Sequence, residues 1–267
     1  MSLKNKIQND PTISDNDKYY FFYMYDLGTD IIVPLLTEKG LFRPGYSVAE
    51  IGSAEGGVLM AFAEKGAKDL LATDIAVSRL EKGEEIAQKA GLEINFTSHD
   101  VIYEEPLEKW KNTFDLVLLR DVIEHLDDPY IALKNIKKII KSGGHLYVTF
   151  PPYPSPFGGH QHTLGSKLGK IPYIHLLPSK IFSKLISTGR PQDIVEVERL
   201  IDIKLTTGKF EKAANKAGFE IVGKDYYLLR PVFKMKFNLP TLGLGPLKYI
   251  PGFKNLISTE AAYTLKA

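Results

Sequence analysis

Apolar positions follow two rhythms along most of this chain. Short continuous apolar runs alternate with stretches in which apolar residues recur every three or four positions, the marks of buried strands and of helices. Val48-Ala-Glu-Ile51 reads as a buried strand, Gly52 to Gly57 as a Gly-rich turn, and Val58 to Lys68 as an amphipathic helix. Asp69 to Asp74 then forms a second strand that closes on an acid. Ser78 to Ala90 is helix-forming and ends at Gly91, a residue suited to the left-handed position after a helix. Ile94-Asn-Phe-Thr97 is a third strand. The run after Phe114-Asp115 is apolar enough for a strand buried on both faces of a parallel sheet. Asp121 to Leu126 makes a helical turn. Asp128-Pro129, a cap followed by a first-turn proline, starts a helix through Ile140. The helix stops at Lys141-Ser-Gly-Gly144, and His145 to Phe150 is a fifth strand. Thr206 to Ala217 is a helix capped at Gly218, a sixth strand runs to Leu229, and Ala261 to Lys266 can form a last one.

Outside this alternation the pattern is less regular. Residues 1 to 16 are polar and read as a frayed terminus. The aromatic segment from Lys18 onward has helical spacing, with Pro34 as a break or a helix start. Its Tyr19, Phe22 and Tyr23 serve either as core packing or as a lid whose aromatic faces attract a cation. Residues 151 to 162, Pro-Pro-Tyr-Pro-Ser-Pro-Phe-Gly-Gly-His-Gln-His, form an irregular loop. Residues 166 to 200 read as a pair of helices broken at Pro178, Gly189 and Pro191.

The chemistry suggested by the first turn is nucleoside binding. A helix opening on a Gly-rich turn presents backbone N–H groups, and an acid ending the next strand can accept from a ribose diol. Gly52, Ala54 and Gly57 fit a dinucleotide turn with one substitution, which makes an NAD(P)-dependent oxidoreductase one reading. Gly52, Ala54 and Gly56, preceded by Glu50, resemble instead the first motif of class I S-adenosylmethionine (SAM) methyltransferases. The segment from Phe114-Asp115 through Glu124-His125-Leu126, followed by Lys141-Ser-Gly-Gly144 and a strand, resembles further signatures of that family, in its small-molecule branch. Dinucleotide dehydrogenases lack such a block. The resemblance covers roughly residues 48 to 222 and the final strand.

That resemblance implies a doubly wound α/β fold: a seven-stranded, mostly parallel sheet with an antiparallel last strand, helices on both faces and capping insertions. It implies SAM as cofactor and a small-molecule acceptor, methylated at oxygen or nitrogen. By position, Glu50, Gly52, Ser53 and Gly56 would meet the methionine part of SAM. Asp74 would hold both ribose hydroxyls, Ile75 would flank the adenine, Asp100 and Val101 would meet its ring, and Arg120 would line the methionine end. Ala54 departs from the motif, and its methyl fits only if φ stays negative. Asp100 has a second reading, as the cap of a local turn. A non-catalytic SAM-binding protein is the other class left open.

Composition narrows the setting. At 267 residues, 44% hydrophobic and 25% charged, the chain suits a single domain with one substantial core. Within it, 18–45 would be a helical lid, and 151–203 and 231–259 capping insertions. No apolar run is long enough to span a bilayer, and the N-terminus lacks a signal-peptide core, so a cytoplasmic location is expected. The absence of cysteine removes disulfides, thiolate metal sites and a cysteine nucleophile. From Lys204 onward there are eleven Lys/Arg against four Asp/Glu, and four of these lysines lie between Pro231 and Thr259. This is a solvated basic rim or a surface for an anionic substrate or membrane. Its density is below that of a nucleic-acid patch.

For proton transfer to or from an acceptor, His160, His162 and His125 are the candidates. The first two sit in the loop after the fifth strand, where open α/β sheets place ligands. They read as a base or orienting pair, as ordinary loop residues, or as metal ligands with a carboxylate. No two-His-plus-acid spacing is evident locally, so no metal is expected. His125 reads first as a structural residue of the Glu-His-Leu turn, and His99 as a surface residue.

Overall fold

The computed structural model describes residues 3–164, 167–186 and 190–267; Gly189, expected as a helix break, lies outside them. In chain order the helices and strands are α1 (Leu3–Gln8), α2 (Asp15–Leu27), α3 (Val33–Glu38), β1 (Ser47–Ile51), α4 (Gly57–Glu64), β2 (Lys68–Asp74), α5 (Val77–Ala90), β3 (Ile94–Ser98), β4 (Phe114–Arg120), α6 (Pro129–Ile139) and β5 (Ile140–Phe150). They continue as α7 (Ser179–Ile186), α8 (Pro191–Ile203), α9 (Thr207–Lys216), β6 (Glu220–Leu229), α10 (Val232–Phe237), β7 (Leu242–Gly243), α11 (Phe253–Ile257) and β8 (Glu260–Lys266). The strands are ordered β3-β2-β1-β4-β5-β8-β6-β7, an α/β sheet of eight strands where seven were expected. The addition is β7, two residues inside the basic segment that pair antiparallel with β6.

The chain divides into two compact units. The first comprises residues 1–120, 134–147 and 266–267, the second residues 121–133 and 148–265. In the first, β1 pairs parallel with both β2 and β4, and β2 with β3. Leu116 to Leu119 are fully buried, the outcome that their uninterrupted apolar run predicts for a central parallel strand. Asp115 ties this layer together: its Oδ2 accepts from Ser47 N and from Lys141 Nζ, both at 2.8 Å.

Two expectations fail in this unit. Residues 3–16 are not frayed, since α1 is helical and Leu3, Ile7 and Ile13 are buried. Nor is α4 amphipathic in its surroundings: Val58 to Phe62 are at most 1% exposed. The helix α2 covers the outer face of α4, and the two approach at glycines. A Cβ on Gly57 would lie 2.9 Å from Met24 Cβ, and one on Gly28 would lie 2.7 Å from Ala61 Cβ. A π-helical turn over Gly28–Ile32 then leads to α3, with Pro34 in its first turn as expected. Phe21 and Tyr25 of the aromatic stripe are buried, whereas Tyr19 and Tyr20 are exposed.

The helix α5 ends on Gly91 at φ +75°, as the capping rule predicts. Farther on, β5 begins at Ile140 rather than at His145, so Lys141-Ser-Gly-Gly144, where the helix was expected to end, lies within the strand. Gly144 is required there by close packing: a Cβ would stand 3.0 Å from Asp115 O.

The second unit packs around Phe150, Phe210 and Tyr263, all fully buried. Phe150 and Tyr263 stack at 6.0 Å, and Phe210 leans on Tyr263 at 4.6 Å. The buried Tyr263 hydroxyl donates to Glu211 Oε1 at 2.9 Å, so the large ring carries no unmet polar atom. A smaller apolar cluster of Leu164, Ile174, Phe182 and Val197 joins the loop after β5 to α7 and α8. Among the described residues no helix is long and apolar enough to cross a membrane.

Candidate functional site

The first set of candidate residues surrounds the turn after β1. Gly52, Ala54 and Gly56 all take positive φ, at +71°, +53° and +70°. Ala54 therefore departs from the expectation of a negative φ. Its left-handed backbone is held because its N–H donates to Asp74 Oδ2 at 2.8 Å, while Asp74 Oδ1 accepts from Ala76 N at 2.9 Å. Gly52 N and Ser53 N both donate to Thr73 O, at 2.8 and 2.9 Å. The turn is thus laced to the end of β2 by three hydrogen bonds. From the other side Arg79 of α5 grips Glu55 with two bonds of 2.8 Å, and Gly56 must be glycine because a Cβ would sit 2.8 Å from the Phe96 ring.

Below the turn, Glu50 is 1% exposed, and its Oε1 accepts from Arg120 Nε at 3.0 Å and Nη2 at 2.7 Å. Burial pushes the Glu50 carboxyl above its usual range, opposed by the Arg120 charge and reinforced by Asp74. Glu50 Oε2 and the buried Ser53 hydroxyl have no hydrogen-bond partner within the protein. Ile75 is 69% exposed just past the acid. Asp100 does cap a turn, with Oδ1 accepting from Ile102 N and Tyr103 N at 2.9 and 3.2 Å. Val101 is buried, and its carbonyl accepts from Asn135 Nδ2 at 2.9 Å. His99 is no surface residue: it is buried edge-on against Trp110, with Nδ1 3.0 Å from Glu104 Oε2.

The second set lies in the loops after β4 and β5. The Glu-His-Leu segment forms a single 3-10 turn, Ile123–His125, which buries Glu124 and leaves His125 half-buried. His160 comes from the loop after β5, which is tightly tied. Gln161, fully buried, donates to Pro156 O at 2.9 Å, and Thr163 binds His160 O through both N and Oγ1. Asp121 and His160 both adopt left-handed backbone, φ +51°, a strained state that surrounding contacts must enforce.

These loops bring the His125 and His160 rings to 4.9 Å between centroids, while one ligating atom each from Glu124, His125 and His160 falls within 4.8 Å. His160 Nδ1 lies 3.0 Å from Glu196 Oε1 of α8; with the proton on Nδ1, its Nε2 keeps a free lone pair. The bond to His160 holds the Glu196 carboxyl below its usual range. Burial, reinforced by His160, lowers His125 to about 4, so its ring is neutral at pH 7. Burial and the nearby Asp121 push the Glu124 carboxyl well up. His162 is exposed and leaves the group, its ring against Phe157 at 5.7 Å and His160 at 5.9 Å.

The structure therefore sets His160 nearer to His125, at 4.9 Å between ring centroids, than to its i, i+2 neighbour His162, at 5.9 Å. It also adds two residues that no local pattern marked. Glu196 sits on an ordinary helix, and half-buried Arg230 binds Asp121 Oδ2 and Glu260 Oε2 at 2.6 and 2.8 Å. Only Glu124, beside His125 in the quoted motif, carried a signal that could have found it.

Comparison with known proteins bears on the domain and the fold. Residues 49–148 match the methyltransferase domain family. The ubiquinone biosynthesis O-methyltransferase of Coxiella burnetii is 29% identical over 110 residues, 41% of this chain and 45% of that protein. The chain thus spans under half the length of that relative. Among solved structures, a SAM-dependent methyltransferase from Mesorhizobium loti superposes with a TM-score of 0.55 at 14% identity, covering 90% of this chain and 100% of that one. Magnesium protoporphyrin IX methyltransferase from Synechocystis, solved with bound S-adenosylhomocysteine, gives 0.52 at 14% identity, with 99% and 92% covered. Residues 49–148 thus match the methyltransferase domain family, and the chain has the fold seen in SAM-dependent methyltransferase structures.

Proposed function

We propose that this protein transfers a methyl group from SAM to an oxygen of a small-molecule acceptor. The observation that carries the reading is the turn after β1: its left-handed backbone is locked onto Asp74 while Ser53 Oγ and Glu50 Oε2 stay unpartnered at its base. Bound at this turn, SAM supplies an activated methyl on a sulfonium. The residues present suit it. The first-turn N–H groups of α4 have no intrahelical acceptor, and each Asp74 oxygen, though engaged by one backbone N–H, keeps a second lone pair for a ribose hydroxyl. Ile75 offers an exposed apolar side chain to a base, and the Glu50–Arg120 pair sets the charge at the methionine end.

The Glu124–His125–His160 group is assigned to the acceptor hydroxyl. It stands on the loops after β4 and β5, and open α/β sheets bind ligands past the carboxyl ends of their strands. Oxygen as the acceptor atom, and a small molecule as the acceptor, follow the names of the matched relatives, which are O-methyltransferases of ubiquinone biosynthesis.

Calorimetry with SAM, S-adenosylhomocysteine and NAD tests the reading. The two SAM-type ligands should bind and NAD should be far weaker. Asp74→Ala should cost SAM about 2–3 kcal/mol, the range for hydrogen bonds to a charged group. Tight NAD binding without a SAM response would overturn the proposal. SAM binding with no methyl transfer to any phenolic or other hydroxyl acceptor would leave a binding protein in its place.

A further inference from the structure

Glu124 is anomalous for a buried acid. It is 2% exposed, yet neither carboxylate oxygen has a hydrogen-bond partner. Buried carboxylates without donors are rare because desolvation is costly. The nearest basic atoms are His125 Nε2 and His160 Nε2, each 3.9 Å from Glu124 Oε1, beyond hydrogen-bonding range. We infer that Glu124, His125 and His160 bind a divalent first-row transition-metal ion, with Zn2+ as the representative case.

Three features favour a cation over a water or an idle acid. The first is span. Metal–ligand bonds of about 2.1 Å bridge donors up to about 4.2 Å apart, so both 3.9 Å separations are covered as they stand. The third pair, within 4.8 Å, closes by rotation of a side chain. The second is donor type: two imidazoles and one carboxylate suit zinc, iron or manganese, while magnesium and calcium prefer all-oxygen sets. The third is support. His160 Nδ1 meets Glu196 Oε1 at 3.0 Å, the carboxylate–histidine–metal arrangement that orients a ligating ring. Of the neighbouring cations, Arg230 is engaged by Asp121 and Glu260, and Arg199 grips Asp127 with two bonds of 2.8 and 3.0 Å.

Three protein ligands leave coordination positions open for water or an acceptor oxygen. A hydroxyl bound there would lose its proton more readily. That consequence rests on the methyltransferase reading, whereas the ligation does not.

The test uses the full chain, stripped with chelator and titrated with ZnCl2 and CoCl2 by calorimetry and visible absorption. One equivalent should bind, with Co2+ giving ligand-field bands. His125→Ala and His160→Ala should each weaken binding at least 100-fold, and Glu196→Gln 10–100-fold. His162→Ala should change nothing. Circular dichroism checks that each variant is folded; should His160→Ala not fold, His160→Gln should shift the Co2+ bands. Failure of the native chain to bind one equivalent at submillimolar Zn2+ would overturn the inference. So would unchanged binding in the folded His125 and His160 variants. SAM titrations of the same samples separate the two proposals: metal binding without SAM binding sinks only the methyl-transfer reading, and the reverse sinks only this one.

Discussion

The turn after β1 and the histidine group after β4 and β5 are built on opposite principles. The turn comes from one contiguous stretch, residues 50 to 76, and the nearby β4 supplies only Arg120. Its acids are already engaged, Asp74 by two backbone N–H groups and Glu50 by Arg120. The histidine group draws on three distant segments, and its central acid receives no hydrogen bond. One region spends its charges on holding its own shape. The other buries an acid whose side-chain oxygens meet no donor from a neighbouring residue.

The largest expected effect tests the first half of that contrast. Arg120→Met leaves Glu50 buried without its counter-charge and should destabilise the fold by about 3–5 kcal/mol. Urea unfolding measures it, and Glu50→Gln in the same chain should recover most of the loss. A cost below about 1 kcal/mol would mean that the pair does not hold the turn. The next effect has the opposite sign. Glu124→Met removes a buried acid whose side-chain oxygens meet no donor from a neighbouring residue, and in metal-free protein it should raise stability by about 1–3 kcal/mol while abolishing metal binding. Loss of stability would show that Glu124 has a partner and that the two regions are alike. The smallest sharpens the picture of the turn. Ala54→Gly relieves a left-handed alanine and should gain about 1 kcal/mol, a few degrees of thermal midpoint. No gain would mean that the Asp74 bond holds the turn without strain.

The same contrast decides what could be read from the sequence. The strand, turn, helix and acid from Val48 to Asp74 were legible because each follows from neighbours a few residues away. Gly91 and Gly218, both at positive φ where helices end, were legible for the same reason. The burial of α4 on every side was not, since α2 reaches it from some 35 residues upstream and apolar spacing cannot say what covers an outer face. The left-handed φ of Ala54 is imposed by Asp74, 20 positions away. In the histidine group, spacing along the chain suggested His160 with His162, whereas the fold turns His160 toward His125 and Glu196. Residues on a helix such as Glu196 carry no local mark of that role. The eighth strand was hidden because two residues in a basic connection hold no period to detect.

The glycine contacts between α2 and α4 bear on what can be excised from this protein. The segment that matches the methyltransferase domain family starts at residue 49 and leaves out α2. A fragment cut to that match would expose the outer side of Val58 to Phe62 to water and leave the seats at Gly57 and Ala61, where Met24 and Gly28 pack, empty. No side chain lies there to fold over and fill the gap. The matched segment is therefore smaller than the unit that packs around α4, and expression boundaries for it belong before Asp15.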